Sequence, residues 1–178
     1  MGTDPPHPAP GPVDTVTLVR TAQGGDTLAM GDLLDVLTPY VAQVCGSIAL
    51  RSGSDAAQDT LIVVMRSLRS LREPAALFGW VRTIAVREAV RHAERDARAR
   101  PTGDETLNRI PARGDPQLAA DIRDVLARLS PRHRAVLVLR DLHGVTEDDA
   151  AALLDLPVGT VKSRLHRARE SFRKAWIS

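Results

Sequence analysis

Near the end of the chain, Val161, Leu165, Ala168, Phe172 and Ala175 recur at spacings of four, three, four and three residues. That period puts them on one stripe of a helix and predicts a buried face. Between them stand Lys162, Arg164, Arg167, Arg169, Arg173 and Lys174, against a single acid, Glu170. The predicted helix has a dry side and a cationic side.

The segments before it read as further helices. "QLAADIRDVLARL" is amphipathic, and "SPRHRAVLVLRDLHG" opens with Ser130 as N-cap and Pro131 at the first helical position, then stops at Gly144. Thr146 with Asp149 three residues on resembles a capping box, with Asp in place of Glu, and opens the short helix "EDDAAALLD". "LPVG" then turns the chain into the cationic helix. A short helix, a tight turn and a basic amphipathic helix make a helix-turn-helix, whose second helix enters a major groove by its N-terminal end. Thr160, Lys162, Ser163, Arg164 and Arg167 are placed there to meet phosphates and base edges.

Earlier in the chain, about residues 26–98 are helical in three or four pieces. "TLAMGDLLDVLTPYVAQVCGSIALRSG" has a predicted break at Thr38 and Pro39 and a terminator in Gly53; "SDAAQDTLIVVMRSLRSL" opens with Ser54 as N-cap. A third helix starts at Pro74 and runs past Gly79 to Arg98. Residues 99–116 lose periodicity and gain Pro101, Gly103, Pro111, Gly114 and Pro116, which predicts a flexible linker. The expected architecture is all-α: a disordered, proline-rich leader over 1–25, a helical domain over 26–98, the linker, and a helix-turn-helix domain over 117–178.

Composition agrees. Hydrophobic residues make up 43% of the 178 and aromatics only 3%, so packed cores must come from Leu, Val, Ile and Ala, which favours helices over a sandwich. Cys45 is the one cysteine, in an apolar setting that suggests core filler; with no signal-like start and no run of about 18 uncharged apolar residues, a cytoplasmic protein is expected. The net charge of +2 conceals segregation: residues 141–160 hold five acids and no Lys or Arg, whereas 161–178 hold six bases and one acid. With an isoelectric point near 9.2, a nucleic-acid partner leads, although a solvated helix face gives the same pattern. His7, His92, His133, His143 and His166 lack metal-ligand spacing, and no phosphate loop or nucleophile motif is present, so neither a cofactor nor an enzyme is expected.

"LARLSPRHRAVLVLRDLHGVTEDDAAALLDLPVGTVKSRLHRARESF" resembles region 4 of the bacterial RNA polymerase sigma factors of the extracytoplasmic-function group, "GTVKSRLHRAR" most specifically. "SDAAQDTLIVVMRSL" is similar to region 2.2, with Asp55, Gln58 and Asp59 at its recurrent polar positions, and "FGWVRTIAVREAVR" to regions 2.3 and 2.4, with Trp80 and Ile84 in place. The resemblance covers about residues 27–98 and 117–176. It implies that region 2 binds the clamp coiled coil of core RNA polymerase through Asp55, Gln58 and Asp59. It further implies that region 2 melts the −10 promoter element with Trp80, Arg87, Arg91 and Arg95, around a base pocket in the loop from Arg69 to Gly79. Region 4 then reads the −35 element and touches the β-flap. Many relatives are held by an anti-sigma factor, which makes such a protein a further candidate partner. Ser52 and Ser54 replace acids common in region 2.2, and Arg87 and Arg91 stand where Asn and Asp are frequent, making this helix more basic.

Asp55, Gln58 and Asp59 do share one helical face, though acids in a first turn also simply favour the helix dipole. Arg87, Arg91, Arg95 and Arg98 form a basic stripe suited to a phosphate backbone. The alternative function is a helix-turn-helix transcriptional regulator that is not a polymerase subunit.

Overall fold

The computed structural model describes residues 14–99 and 116–177, and every regular element among them is helical. In chain order these are α1 (Thr15–Gln23), α2 (Thr27–Ala49), α3 (Gly53–Ser67), α4 (Leu77–Arg98), α5 (Pro116–Arg128), α6 (Pro131–Leu137), α7 (Glu147–Leu154) and α8 (Val158–Ile177). Short 3₁₀ turns at Leu68–Ser70 and Pro74–Ala76 join α3 to α4, and a π-turn at Val138–Leu142 follows α6. The linker expected over 99–116 lies, apart from its two ends, outside the described residues, as does the leader before Asp14.

The first module is α2, α3 and α4 packed on one another, with α1 laid across α2. Leu33, Leu37, Val41, Ile48, Val64, Val81 and Val86 are essentially inaccessible to water. Each such side chain contributes about 1.5–3 kcal/mol on transfer from water. The apolar window within Thr27–Ser70, of mean hydropathy 1.5, is 56% buried inside the fold, so its hydrophobicity serves this core. Cys45 is fully buried here, and burial pushes its thiol up to about 11. The second module packs α6 and α7 on α8 around Val136, Leu139, Val161, Leu165 and Ala168.

Three expectations are corrected. The stretch read as unstructured leader contains α1 from Thr15, capped by Asp14, which accepts from the Val16 amide at 3.2 Å, and seated by buried Val19 and Ala22. The break at Thr38 and Pro39 does not occur. Pro39 forfeits one backbone donor, but buried Leu37 and Val41 hold α2 to the core on either side of it. Gly53 does not end a helix and Ser54 does not cap one; α3 begins at Gly53, with Ser52 preceding it. A Cβ on Gly53 would lie 2.7 Å from the Gly46 Cα, so α2 and α3 meet backbone to backbone there.

The expected caps of the second module are present. Ser130 accepts from the His133 amide at 3.4 Å with Pro131 at the first helical position, and Thr146 Oγ1 accepts from the Asp149 amide at 3.1 Å. The Asp149 carboxylate reaches back to the Thr146 hydroxyl at 2.7 Å instead of to the backbone, being one methylene shorter than Glu. Asp155 ends α7 in the left-handed region at φ 54°, a conformation that a short polar side chain tolerates.

Candidate nucleic-acid interface

The stripe of α8 is buried as its period requires: Val161, Leu165 and Ala168 are at most 4% exposed, and Phe172 and Ala175 are partly covered. This rotation leaves Lys162, Ser163 and Arg167 exposed and Thr160 and Arg164 half-buried, on the turns nearest the helix start. Ser163 donates to the Thr160 carbonyl at 3.1 Å, within the helix.

The acidic block folds onto the basic helix. Glu147 of α7 lies 3.6 Å from Lys162, and Asp141 holds Arg169. Among the described residues Arg164 and Arg167 have no ion pair, as is also true of Arg173 and Lys174 further along α8, and His133 of α6 feels the field of the first two. Burial is the larger cause lowering its pKa, and the charges of Arg164 and Arg167 lower it further. A cationic patch therefore sits at the start of the second helix of a helix-turn-helix, where backbone amides add to it.

In the first module the predicted residues do not form one open stripe. Arg87 and Arg95 are exposed, but Arg91 donates to Asp59 at 3.2 Å and also to Glu88, and His92, buried, lies 2.9 Å from the same Asp59 oxygen. Asp59 is thus engaged within the chain, whereas Asp55 and Gln58 are exposed on the face predicted for them. Asp59, Glu88 and His92 bring three ligand atoms within 4.8 Å of one another, but the Arg91 guanidinium already answers that charge. Trp80 is half-buried against the core, and Phe78, 41% exposed, meets Tyr40 edge to face at 5.4 Å. The loop expected to form a base pocket is braced from behind by α1: the Gln23 side-chain amide donates to the carbonyls of Leu68 and Leu71 at 2.9 and 2.7 Å.

Two features were not foreseen. An apolar groove of about 350 Å³ runs along the second half of α8, floored by Ile122, Leu126, Leu142 and Phe172 and edged by Asp141 and Arg169. Trp176, beyond the stripe, stacks on Phe172 at 5.9 Å and lines the adjoining cleft with Ile122 and Leu118. The second is the seam between modules, where α6 packs on α2 and α4, and α7 on α4. Arg87 and Arg91 line a cleft there with Leu153 and Asp155 of α7, and Arg164 lines the adjoining one with Val90, Glu94 and Arg132.

Comparison with known proteins places these features in context. Residues 119–172 match the family model for sigma-70, region 4. The chain is 31% identical over 179 residues to the RNA polymerase sigma-H factor of Pseudomonas aeruginosa, covering 89% of this chain and 91% of that protein. It is 31% identical over 172 residues to the ECF RNA polymerase sigma-E factor of Escherichia coli K12, covering 86% and 90%. Among solved structures, the sigma factor RpoE in complex with the anti-sigma factor NepR from Bartonella quintana is similar in fold, with a TM-score of 0.65 at 24% identity over 82% of this chain and 94% of that one.

Proposed function

Since the chain belongs to the extracytoplasmic-function RNA polymerase sigma factors of the sigma-70 family, directing transcription initiation without being an enzyme, we propose a division of labour between its two modules. The α5–α8 module reads the −35 element. Arg164 and Arg167, with Thr160, Lys162 and Ser163, face the major groove, and the apolar groove along the second half of α8 receives the β-flap of the polymerase. The α2–α4 module engages the clamp coiled coil through exposed Asp55 and Gln58, with Asp59 beside them, and opens the −10 element along Arg87, Arg91, Arg95 and Trp80. The observation that carries this reading is the placement of Arg164 and Arg167 at the head of α8, where neither has an ion pair among the described residues and where both act on His133.

The solved relative is held by an anti-sigma factor, and we extend that class of partner to this chain, acting in the cytoplasm where polymerase is found. The test is reconstitution with core polymerase on fragmented genomic DNA, followed by mapping of transcript starts. Starts that share −35 and −10 elements are expected. Tight duplex binding by the chain alone, with no association with core polymerase, would instead make it a free-standing regulator.

A further inference from the structure

Asp59 of α3 meets Glu88 and His92 of α4 where the two helices pack on each other. Glu88 and His92 stand one turn apart, so their side chains leave the same face of α4. Asp59 comes from the facing helix, and its Oδ2 lies 2.9 Å from the His92 Nε2. One ligand atom from each of the three lies within 4.8 Å of the other two. The histidines alone show no such spacing; two carboxylates complete the set around His92.

This cluster differs from an acidic patch on a surface. His92 is 6% exposed and the Glu88 side chain 17%, so two of the three are turned inward. After burial and the hydrogen bond from Thr60, the Glu88 charge also acts on the pKa of the buried Cys45 thiol, raising it. The donors are an imidazole and two carboxylates, held by two packed helices.

A cation already stands among them. Arg91 donates from Nη2 to Asp59 at 3.2 Å and to Glu88, bringing one positive charge to two carboxylates. Its side chain is 52% exposed. The guanidinium can therefore swing into water while α3 and α4 keep the other three in place.

We propose that Asp59, Glu88 and His92 form a site for a divalent transition ion of the Zn²⁺ class, in which the Arg91 guanidinium stands in for the ion and competes with it. One imidazole and two carboxylates suit such an ion, with water at the fourth tetrahedral position. Ligand atoms around tetrahedral Zn²⁺ lie about 3.3 Å apart, so from the 4.8 Å limit the widest pair closes by no more than about 1.5 Å, within reach of side-chain rotation. The bound ion displaces Arg91, which then joins exposed Arg87 and Arg95 on the helix assigned to the −10 element. That consequence rests on the assignment of α4 to DNA; the metal site does not.

Calorimetric titration of the full chain with Zn²⁺, repeated with Co²⁺ while its visible absorption is recorded, tests the site. Glu88→Gln and His92→Gln are each expected to weaken binding at least about tenfold and to remove the tetrahedral Co²⁺ bands. Arg91→Ala should instead strengthen binding by about tenfold, because the competing charge is gone. Circular dichroism confirms that each variant is folded, and Glu88→Gln reads the site even if His92→Gln fails to fold. Uptake that is absent, or the same in the unaltered chain and the two ligand variants, overturns the site. An Arg91→Ala affinity no higher than that of the unaltered chain overturns the competition. Release of Arg91 is read by the anisotropy of a labelled short single-stranded DNA at low salt. Zn²⁺ should tighten this binding about threefold in the unaltered chain and leave Glu88→Gln unchanged; no gain in the unaltered chain overturns the release. Failure of the promoter assignment is seen separately, as absent start-site selection in reconstituted transcription.

Discussion

Asp141 grips Arg169 at two points, its Oδ1 accepting from Nη2 at 2.6 Å and its Oδ2 from Nε at 3.0 Å. The pair ties the π-turn after α6 to the middle of α8, and the hydrogen bond raises the Arg169 pKa above its ordinary value. Fork geometry strengthens such a pair, but its ends are 39% and 47% exposed, so water screens it. Asp141→Ala is expected to cost about 0.5–1 kcal/mol, read by urea unfolding, and molar salt should shrink the difference. An unchanged urea midpoint would show that the two-point grip contributes nothing to the module.

Gly53→Ala is the severe change in the first module. Its Cβ would sit 2.7 Å from the Gly46 Cα, and the atom in the way is backbone, which cannot swing aside. Forcing α2 from α3 is expected to cost about 1–3 kcal/mol, visible as a lower thermal midpoint. An unaltered midpoint would mean that the two helices separate freely.

His143 makes the seam sensitive to acid. Burial, and then the charge of Arg82, hold its pKa below the ordinary imidazole value, and its Nε2 is hydrogen-bonded to Ser47 across the seam. A pKa lowered where α6 packs on α2 and α4 means that a chain with this seam opened binds the extra proton. The contribution is therefore intact above about pH 6.5 and is lost as pH falls through the lowered value. Scattering dimensions are expected to grow on acidification from pH 7.5 to 5.5, and His143→Gln should flatten the dependence. Identical pH profiles for the two proteins would exclude His143 as the group responsible.

Arg164→Ala addresses base reading. If its guanidinium contacts a base edge, discrimination at the upstream promoter element should fall by about 1–3 kcal/mol, measured by transcription from templates substituted there. Arg167→Ala serves as the comparison, since a phosphate contact weakens all templates alike. Equal losses on every template for Arg164→Ala would reassign it to the backbone.

The α8 stripe and the caps at Ser130 and Thr146 were legible in the sequence because each depends on residues a few positions apart, where the period of a helix and one side-chain bond decide the outcome. Pro39, Gly53 and Ser54 misled for the opposite reason. A proline's local penalty is outweighed when buried Leu37 and Val41 flank it, and Gly53 serves contact with Gly46, seven residues away, rather than termination. The same holds for the site. The face bearing Asp55 and Gln58 followed from periodicity, whereas the capture of Asp59 by His92 and Arg91 joins positions more than thirty apart, which spacing cannot reveal. Nothing in the spacing of Arg134 marks it as buried; only the close approach of α6 to α2, where its Nε donates to the Ile48 carbonyl, makes it so.

Gln23 carries a practical lesson for trimming the N terminus. One amide on α1 serves two carbonyls, those of Leu68 and Leu71, in the turns leading to α4. A shortened protein that starts at Asp26 removes the side-chain donor from both oxygens, leaving Leu68 with only the Leu71 amide, and uncovers the seat of Val19. Cutting there in search of a tidier sample would loosen the stretch assigned to strand opening, so protease sites and affinity tags belong ahead of Asp14.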